Sequence, residues 1–599
     1  MNQTATKAPP IARITSVFNQ LPLAAPIAGS LLLLGAGATA FWWLNRTSFT
    51  PGTLPIGANL IPHEALTVVT LNTDQQQWRQ LREFGTPKSQ KAFDGFLAAM
   101  RHQMFNANGL DFARDIQPWV GDEVTIAQLS QQGELSNGDG SLVPNALSAQ
   151  PMVVVLPIGD PLKARELIAQ PKTLTNRVWN ERIHKEVKVR EAMPQAGIDP
   201  QSTTPLEIAV IDNKMVLVSN STRSMNLAID TYRGGKSLAQ TPGYAQALGQ
   251  IQQQSRPFMT LYRNVPASIL TAANNLDKSV TKQNQEWLEQ SQGFATAATL
   301  RPEGIEFRNI SWLKPDSKRK FDTNNNGKNA PKQLPAETLA MFSGSNFKQF
   351  WQDYTRDYPS YPLKPFDPTL FKEGLEKSLG LNWQEDFLGW MKGEFSVSMI
   401  PVPGEAAKKT PIGLVMMAQT SDRRAAEAAF KKLDDAVAGR LRYKVEPGKF
   451  NNENVSNWTD PISGMTMMHG WMNDNTAFIA LGAPAASTFF PQTQVALNSE
   501  ANFRQSTEVK SEKDKKTPNG YFFVNFDRLF SLPQLPPLFA WLEPHRDWTE
   551  GIRAIGMSGM TTSDRTMQFN SLVLLKKGMT PGPLPAPSIK PSSQGKDKK

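Results

Sequence analysis

The 599-residue sequence contains no cysteine. Disulfides, thiolate nucleophiles, iron–sulfur clusters and cysteine-ligated zinc are thereby excluded. The lack is compatible with an oxidising compartment, where an unpaired thiol is a liability, but composition drift produces it equally well. Histidine is scarce too. His63, His102, His184, His469 and His545 are the whole set, and no two stand three or four residues apart. No helical metal-binding pair is therefore local. A Walker A loop and a G-x-S-x-G elbow are both missing, and the Gly-Met-Ser-Gly-Met run at Gly556 has the wrong spacing for the latter. S-x-x-K occurs at Ser279, Ser317 and Ser345, among other unrelated places, which deprives the pattern of meaning. Nothing in the sequence calls for a cofactor or a metal.

Positive charge is in excess, at +10, but it is not spread over the chain. Lys314–Lys332 carries +4, Lys576–Lys599 carries +5, and the first 46 residues carry +3 through Lys7, Arg13 and Arg46. These segments exceed the total and leave about −2 for everything else. Nucleic-acid binding needs clustered Arg and Lys with aromatics on a structured element, so nucleic acid is not an expected partner. The C-terminal excess reads as a solvated tail, with attraction to anionic lipid or an acidic partner as the alternative.

Between Arg13 and Arg46 there is no charged residue. Leu21–Leu44 is apolar and long enough to cross the hydrocarbon core at ~1.5 Å rise per residue. Trp42 and Trp43 close it, where indoles favour the membrane interface. Residues 21–44 are read as a transmembrane anchor, with residues 1–20 cytoplasmic and the remainder exported. A cleaved signal peptide is the alternative, since Ala38-Thr39-Ala40 fits the cleavage pattern. The apolar run continuing past Ala40 argues for retention.

The chain then resembles itself. Ile61, Pro62, Glu64, Leu66, Gln76 and Trp78 match Leu334, Pro335, Glu337, Leu339, Gln349 and Trp351 at an offset of 273. Gly109, Leu110, Asp115, Trp119 and Glu123 match Gly380, Leu381, Asp386, Trp390 and Glu394 at an offset of 271. Residues 298–313 face 560–575 at an offset of 262. A tandem duplication follows: repeats over 60–313 and 333–575, a basic flexible linker over 314–332, and a disordered Pro-rich tail over 576–599.

Ala65–Asn72, Glu123–Leu129 and Met152–Ile158 have the β-branched, apolar character of strands. A helix is expected through Trp78 and Leu81, and Asp111 and Asn382 are expected N-caps of a short helix. Leu206–Asn220 reads as a hairpin turning at Asp212-Asn213, and the repeat closes with a hairpin turning at residues 301–304. Both repeats are expected to be α+β, each a largely antiparallel sheet with helices on one face.

Six acids are retained in both halves: Glu64 and Glu337, Asp115 and Asp386, Glu123 and Glu394. A functional reading makes them a carboxylate site. The preferred reading is structural, with each carboxylate holding nearby backbone N–H groups. Trp78, Trp351, Trp119 and Trp390 read as core aromatics. No residue is assigned a catalytic, cofactor-binding or metal-binding role.

The I-P-x-E-x-L opening, the Q-x-W of the first helix and the G-L-[DN]-[FW] stretch with its following Asp and Trp resemble the DUF3352 family. That resemblance spans about residues 55–575. It implies a cyanobacterial protein of the plasma or thylakoid membrane, with its repeats periplasmic or lumenal, and carries no catalytic residues to transfer. The leading expectation is a non-enzymatic, membrane-anchored binding or scaffold protein whose two domains engage a protein, lipid or envelope component. An extracytoplasmic hydrolase using carboxylates or a Ser/Lys pair, and a lipid or pigment carrier, are the alternatives.

Overall fold

A computed structural model describes residues 53–104, 112–130, 151–169, 177–194, 206–252, 256–268, 289–357, 367–408, 410–450, 452–490, 493–508 and 517–585. The anchor stretch 21–44 with Trp42 and Trp43, the cap at Asp111 and the tail beyond residue 585 lie outside them. Among the described residues no helix is long and apolar enough to cross a membrane. The described residues divide into two compact units, 53–319 together with 576–585, and Lys320–Leu575.

In the first unit the strands are β1 (Thr67–Asn72), β2 (Glu123–Gln128), β3 (Met152–Pro157), β4 (Arg177–His184), β5 (Val187–Pro194), β6 (Leu206–Ile211), β7 (Met215–Ser219), β8 (Met259–Asn264), β9 (Ser291–Arg301) and β10 (Gly304–Leu313). Every pairing between them is antiparallel, in the order β10-β9-β8-β1-β2-β3-β7-β6-β5-β4. Asp212 and Asn213 both take φ +52°, the left-handed geometry that lets a short turn follow the twist of the flanking strands. Lys185 and Glu186 turn the β4–β5 hairpin in the same way.

Helix α1 (Gln75–Arg82) follows β1, capped by Asp74, whose side chain accepts from the Gln76 N–H at 2.8 Å. Then come α2 (Pro87–Met104), α3 (Pro161–Ala169), α4 (Thr222–Tyr232) and α5 (Tyr244–Ile251). Met225, Ala228 and Ile229 of α4 and Leu248 and Ile251 of α5 pack on Val68, Val153, Val155 and Leu217 of the sheet. Trp78 of α1 is buried against Phe258, with ring centroids 5.6 Å apart, and donates its indole N–H to the Asn72 carbonyl at 2.7 Å.

In the second unit the strands are β11 (Ala340–Gly344), β12 (Phe395–Pro401), β13 (Ile412–Gln419), β14 (Lys444–Phe450), β15 (Glu453–Thr459), β16 (Thr466–Asn473), β17 (Thr476–Leu481), β18 (Gly520–Asn525), β19 (Ile552–Ser563) and β20 (Thr566–Leu575). They pair antiparallel in the order β20-β19-β18-β11-β12-β13-β17-β16-β15-β14, which is the order of the first unit. The helices are α6 (Phe347–Asp357), α7 (Pro368–Leu379), α8 (Arg423–Leu441), α9 (Ala501–Thr507) and α10 (Phe526–Ser531).

The expectation of helices on one face is corrected here. Side chains alternate across a strand, and both faces of this sheet are covered. Met341, Val415, Met417, Phe478 and Ala480 point into one core with Phe503 of α9. Their neighbours Phe342, Met416, Ala418, Ala477 and Ile479 point into another, with Phe347 and Trp351 of α6 and Phe430 and Leu433 of α8. Apolar residues on both faces of one strand demand two covering layers.

Residues 314–332, read from composition as a flexible linker, are hydrogen-bonded. The Phe321 N–H donates to the Asp564 carbonyl at 2.8 Å, and the Gly327 N–H to that of Pro518 at 2.9 Å. Asn325 bonds the Thr561 backbone through both ends of its amide, at 2.9 and 3.0 Å. Backbone and Asn side-chain partners order a segment that hydrophobic burial alone would not.

Phe395 lies at the centre of an aromatic group, 5.0 Å from Phe347, 5.2 Å from Phe350 and 5.7 Å from Phe342 between ring centroids. Phe395→Ala is expected to cost about 3–5 kcal/mol, read as a lower unfolding temperature of the full chain by calorimetry. A wild-type transition would contradict this packing.

Candidate functional site

The retained acids do not assemble into one site. Glu64 and Glu337 are exposed ahead of the first strand of their units. Asp386 sits in a π-helical turn, Trp383–Leu388, where its Oδ2 accepts from the Asn382 N–H at 2.8 Å and its Oδ1 accepts from Lys432 Nζ at 2.7 Å. Asn382 caps that turn as expected, accepting from the Gln384 and Glu385 N–H groups at 2.9 and 3.1 Å. Asp115 is buried in the corresponding turn of the first unit, Phe112–Ile116. Trp119 and Trp390 are buried and donate their indole N–H groups to the carbonyls of Asp115 and Asp386, at 2.7 and 2.8 Å.

Glu123 and Glu394 fasten the segments that lead into the units. Glu123 Oε1 accepts from the Ile56 N–H. Glu394 Oε1 accepts from the N–H groups of Asn329 and Ala330, both at 2.7 Å. Burial pushes both carboxyls above the ordinary carboxylate range, opposed by these N–H bonds and by Arg256 near Glu123 and Lys332 near Glu394. A raised carboxyl contributes stability in its protonated form. That contribution is full below the ordinary value of 4.5 and is lost as pH rises through the raised value. Glu394→Gln keeps the acceptor without the buried charge, so it is expected to be at least as stable as wild type at neutral pH. The wild type should gain on it as pH falls toward 4.5. Glu394→Ala is expected to lose about 1–3 kcal/mol for each N–H left unpaired. Calorimetry of the three proteins across that pH range checks both statements.

A cleft of about 640 Å³ opens in the first unit, between α1, α2 and the π-turn. Gln75, Arg79 and Arg82 reach it from α1, at the i, i+4, i+7 spacing of one helical stripe. Arg101 of α2 joins them, and Phe112 and Gln117 come from the turn. Arg82 is buried and forked onto Asp94 of α2, Nε to Oδ1 at 2.7 Å and Nη2 to Oδ2 at 2.9 Å. Arg79 and Arg101 have no ion-pair partner among the described residues. Among the described residues no His, Asp or Glu lines the cleft.

The remaining wall is the C-terminal segment, Pro581–Leu584. Leaving β20, the chain hydrogen-bonds to the turn between α1 and α2. The Gly85 N–H donates to the Lys576 carbonyl at 2.7 Å, and the Gly578 N–H to that of Glu83 at 2.8 Å. The Gln90 side chain clasps the Met579 backbone, Nε2 to carbonyl at 2.8 Å and N–H to Oε1 at 3.1 Å. Arg82 Nη2 donates to the Gly582 carbonyl at 2.7 Å. Lys576–Pro585, read from composition as disordered tail, is thus a docked strap.

Sequence reasoning missed the cleft. The α1 stripe was present in the sequence, but the adjacent Trp78 and Leu81 drew the reading to the core face. Arg101, Phe112 and the strap are brought in by tertiary folding alone. A Cβ added at Gly578 would stand 2.5 Å from the Gly85 carbonyl oxygen and from Gln90 Cδ. Gly578→Val is therefore expected to release the strap. Tryptic cleavage after Lys576 or Lys577 in the full chain should accelerate on the order of tenfold, since cleavage tracks the open population. Unchanged cleavage would contradict the docking.

No curated protein matches the chain. Among solved structures, crystal form I of TP0453 overlaps with TM-score 0.25 and 10% identity, covering 46% of this chain and 83% of that one. Crystal form III of TP0453 overlaps with TM-score 0.22 and 8% identity, covering 46% and 84%. Scores this low bear on neither fold nor function. The family described as protein of unknown function, DUF3352, matches residues 27–575, which takes in both units, and the chain belongs to that family.

Proposed function

We propose that this chain is a binding protein, anchored in a plasma or thylakoid membrane by residues 21–44, that presents two duplicated domains on the extracytoplasmic side. The duplication reading is supported by the shared strand order of the two units. It is supported also by paired details. The Leu238 N–H donates to the Ile61 carbonyl and the Leu497 N–H to that of Leu334, both at 2.8 Å. Glu123 and Glu394 hold equivalent lead-in segments.

The observation that carries binding over catalysis is the composition of the cleft. Among the described residues it presents guanidinium and amide donors and no acid–base partner or nucleophile. General acid–base chemistry needs a group that can take up a proton near the substrate, and arginine does not serve. The hydrolase reading loses the carboxylates it would use, because Glu123, Glu394 and Asp386 are engaged by backbone N–H groups. A carrier of neutral lipid or pigment would want a continuous apolar cavity, and this cleft is lined by arginines.

The test is copurification of the tagged full-length protein from native membranes in mild detergent, with mass spectrometry of everything retained, lipids included. A reproducible anionic ligand or acidic protein partner, depleted in the Arg79→Gln/Arg101→Gln variant, is expected. A preparation that retains nothing would contradict the binding reading.

A further inference from the structure

We infer that the cleft of the first unit is a phosphate-recognising site whose occupancy is coupled to docking of the C-terminal strap. The inference rests on the binding reading and gives it a ligand class. Two guanidiniums with no ion-pair partner among the described residues face one space, Arg79 from α1 and Arg101 from α2. Asp94, the carboxylate that meets the third arginine of the cleft, is already taken by Arg82. Arginine presents several N–H donors in a rigid fork that suits tetrahedral oxyanions. Gln75 and Gln117 add amide donors beside them. A phosphate offers enough acceptor oxygens to satisfy this array, and its double charge matches the charge of Arg79 and Arg101. At about 640 Å³ the cleft exceeds a bare phosphate, so the remainder has room for an organic portion against Phe112 and Leu584.

The same phosphate chemistry is carried by soluble phosphoesters and by lipid headgroups. Both would meet the strap, because Pro581–Leu584 is a wall of the cleft and Gly582 is held by Arg82. A ligand that touches the strap binds the docked form better than the released one. By linkage it must shift the strap toward docking by the factor that docking adds to its affinity.

The second unit differs at the corresponding helix. Lys348, Gln352 and Thr355 stand 273 residues beyond Gln75, Arg79 and Arg82. Trp351, Phe371 and Trp383 pack together beside it, with ring centroids 4.7 to 5.4 Å apart.

The experiment titrates full-length protein in detergent with pyrophosphate and, separately, with dioctanoyl phosphatidylglycerol. Calorimetry reads affinity, and tryptic cleavage after Lys576 or Lys577 reads the strap. At least one probe is expected to bind. Arg79→Gln/Arg101→Gln should weaken it about tenfold or more, and Arg79→Lys/Arg101→Lys should restore it in part because charge returns without the fork. Gly578→Val, which leaves both arginines in place, should also weaken binding, and the bound probe should slow strap cleavage by a similar factor. An unchanged unfolding temperature in the double Gln variant guards against misfolding as the cause. Pyrophosphate binding marks a soluble phosphoester, and binding of the lipid alone marks a headgroup. Failure of both probes, or affinity indifferent to the double variant, overturns the site. Affinity indifferent to Gly578→Val overturns the coupling. If both probes fail while copurification still retains a partner, this inference falls and the binding reading stands.

Discussion

A guanidinium withdrawn from water must be paired, and much of the first unit's functional geometry follows from how Arg82 meets that demand. Its fork takes both oxygens of Asp94, which fixes α1 against α2. Its remaining reach goes to the Gly582 carbonyl, which fixes the strap. Removing one partner of such a buried pair is strongly destabilising, of order 3–5 kcal/mol, because the other charge is left uncompensated. The pairing also sets the electrostatics next door. With Asp94 spoken for, Arg79 and Arg101 line the cleft with no ion-pair partner among the described residues.

The two units show one scaffold used in two ways. Each is an antiparallel sheet with the same strand order, a glutamate at the start of the second strand that accepts from backbone N–H, and a tryptophan that donates to the carbonyl of an aspartate four residues earlier. Beside the first helix of the second unit aromatic rings pack together and add burial. Beside that of the first unit, arginines line a cleft.

Much of the sheet was legible in the sequence because strands β1, β2, β3 and β8 carry their own apolar or β-branched signature. The turn at Asp212-Asn213 was legible because its residue types tolerate the left-handed geometry it needs. The tryptophans read correctly as core residues. The β4–β5 hairpin escaped notice because Arg177–Pro194 is dominated by charged residues, and its buried members, Val187, Val189 and Ala192, lie mostly on one strand. Helices on both faces went unforeseen because a strand apolar on every residue does not say what will cover it. The strap was hidden for a different reason. Lys576–Pro585 has the composition of a solvated tail, and what orders it is the backbone of Glu83 and Gly85 and the side-chain amide of Gln90, hundreds of residues earlier. Such pairing leaves no mark in local composition, and neither does a cleft whose walls come from four separate stretches of chain.

The most direct test of the central claim is hydrogen exchange of the full-length protein with and without pyrophosphate, resolved to single amides. The account predicts slower exchange at Gly85, Gly578 and Met579, whose N–H groups hold the strap, and no change at Asn329 and Ala330, which bond to Glu394 away from the cleft. Equal exchange at the strap amides in both conditions, or protection confined to other parts of the chain, would contradict it.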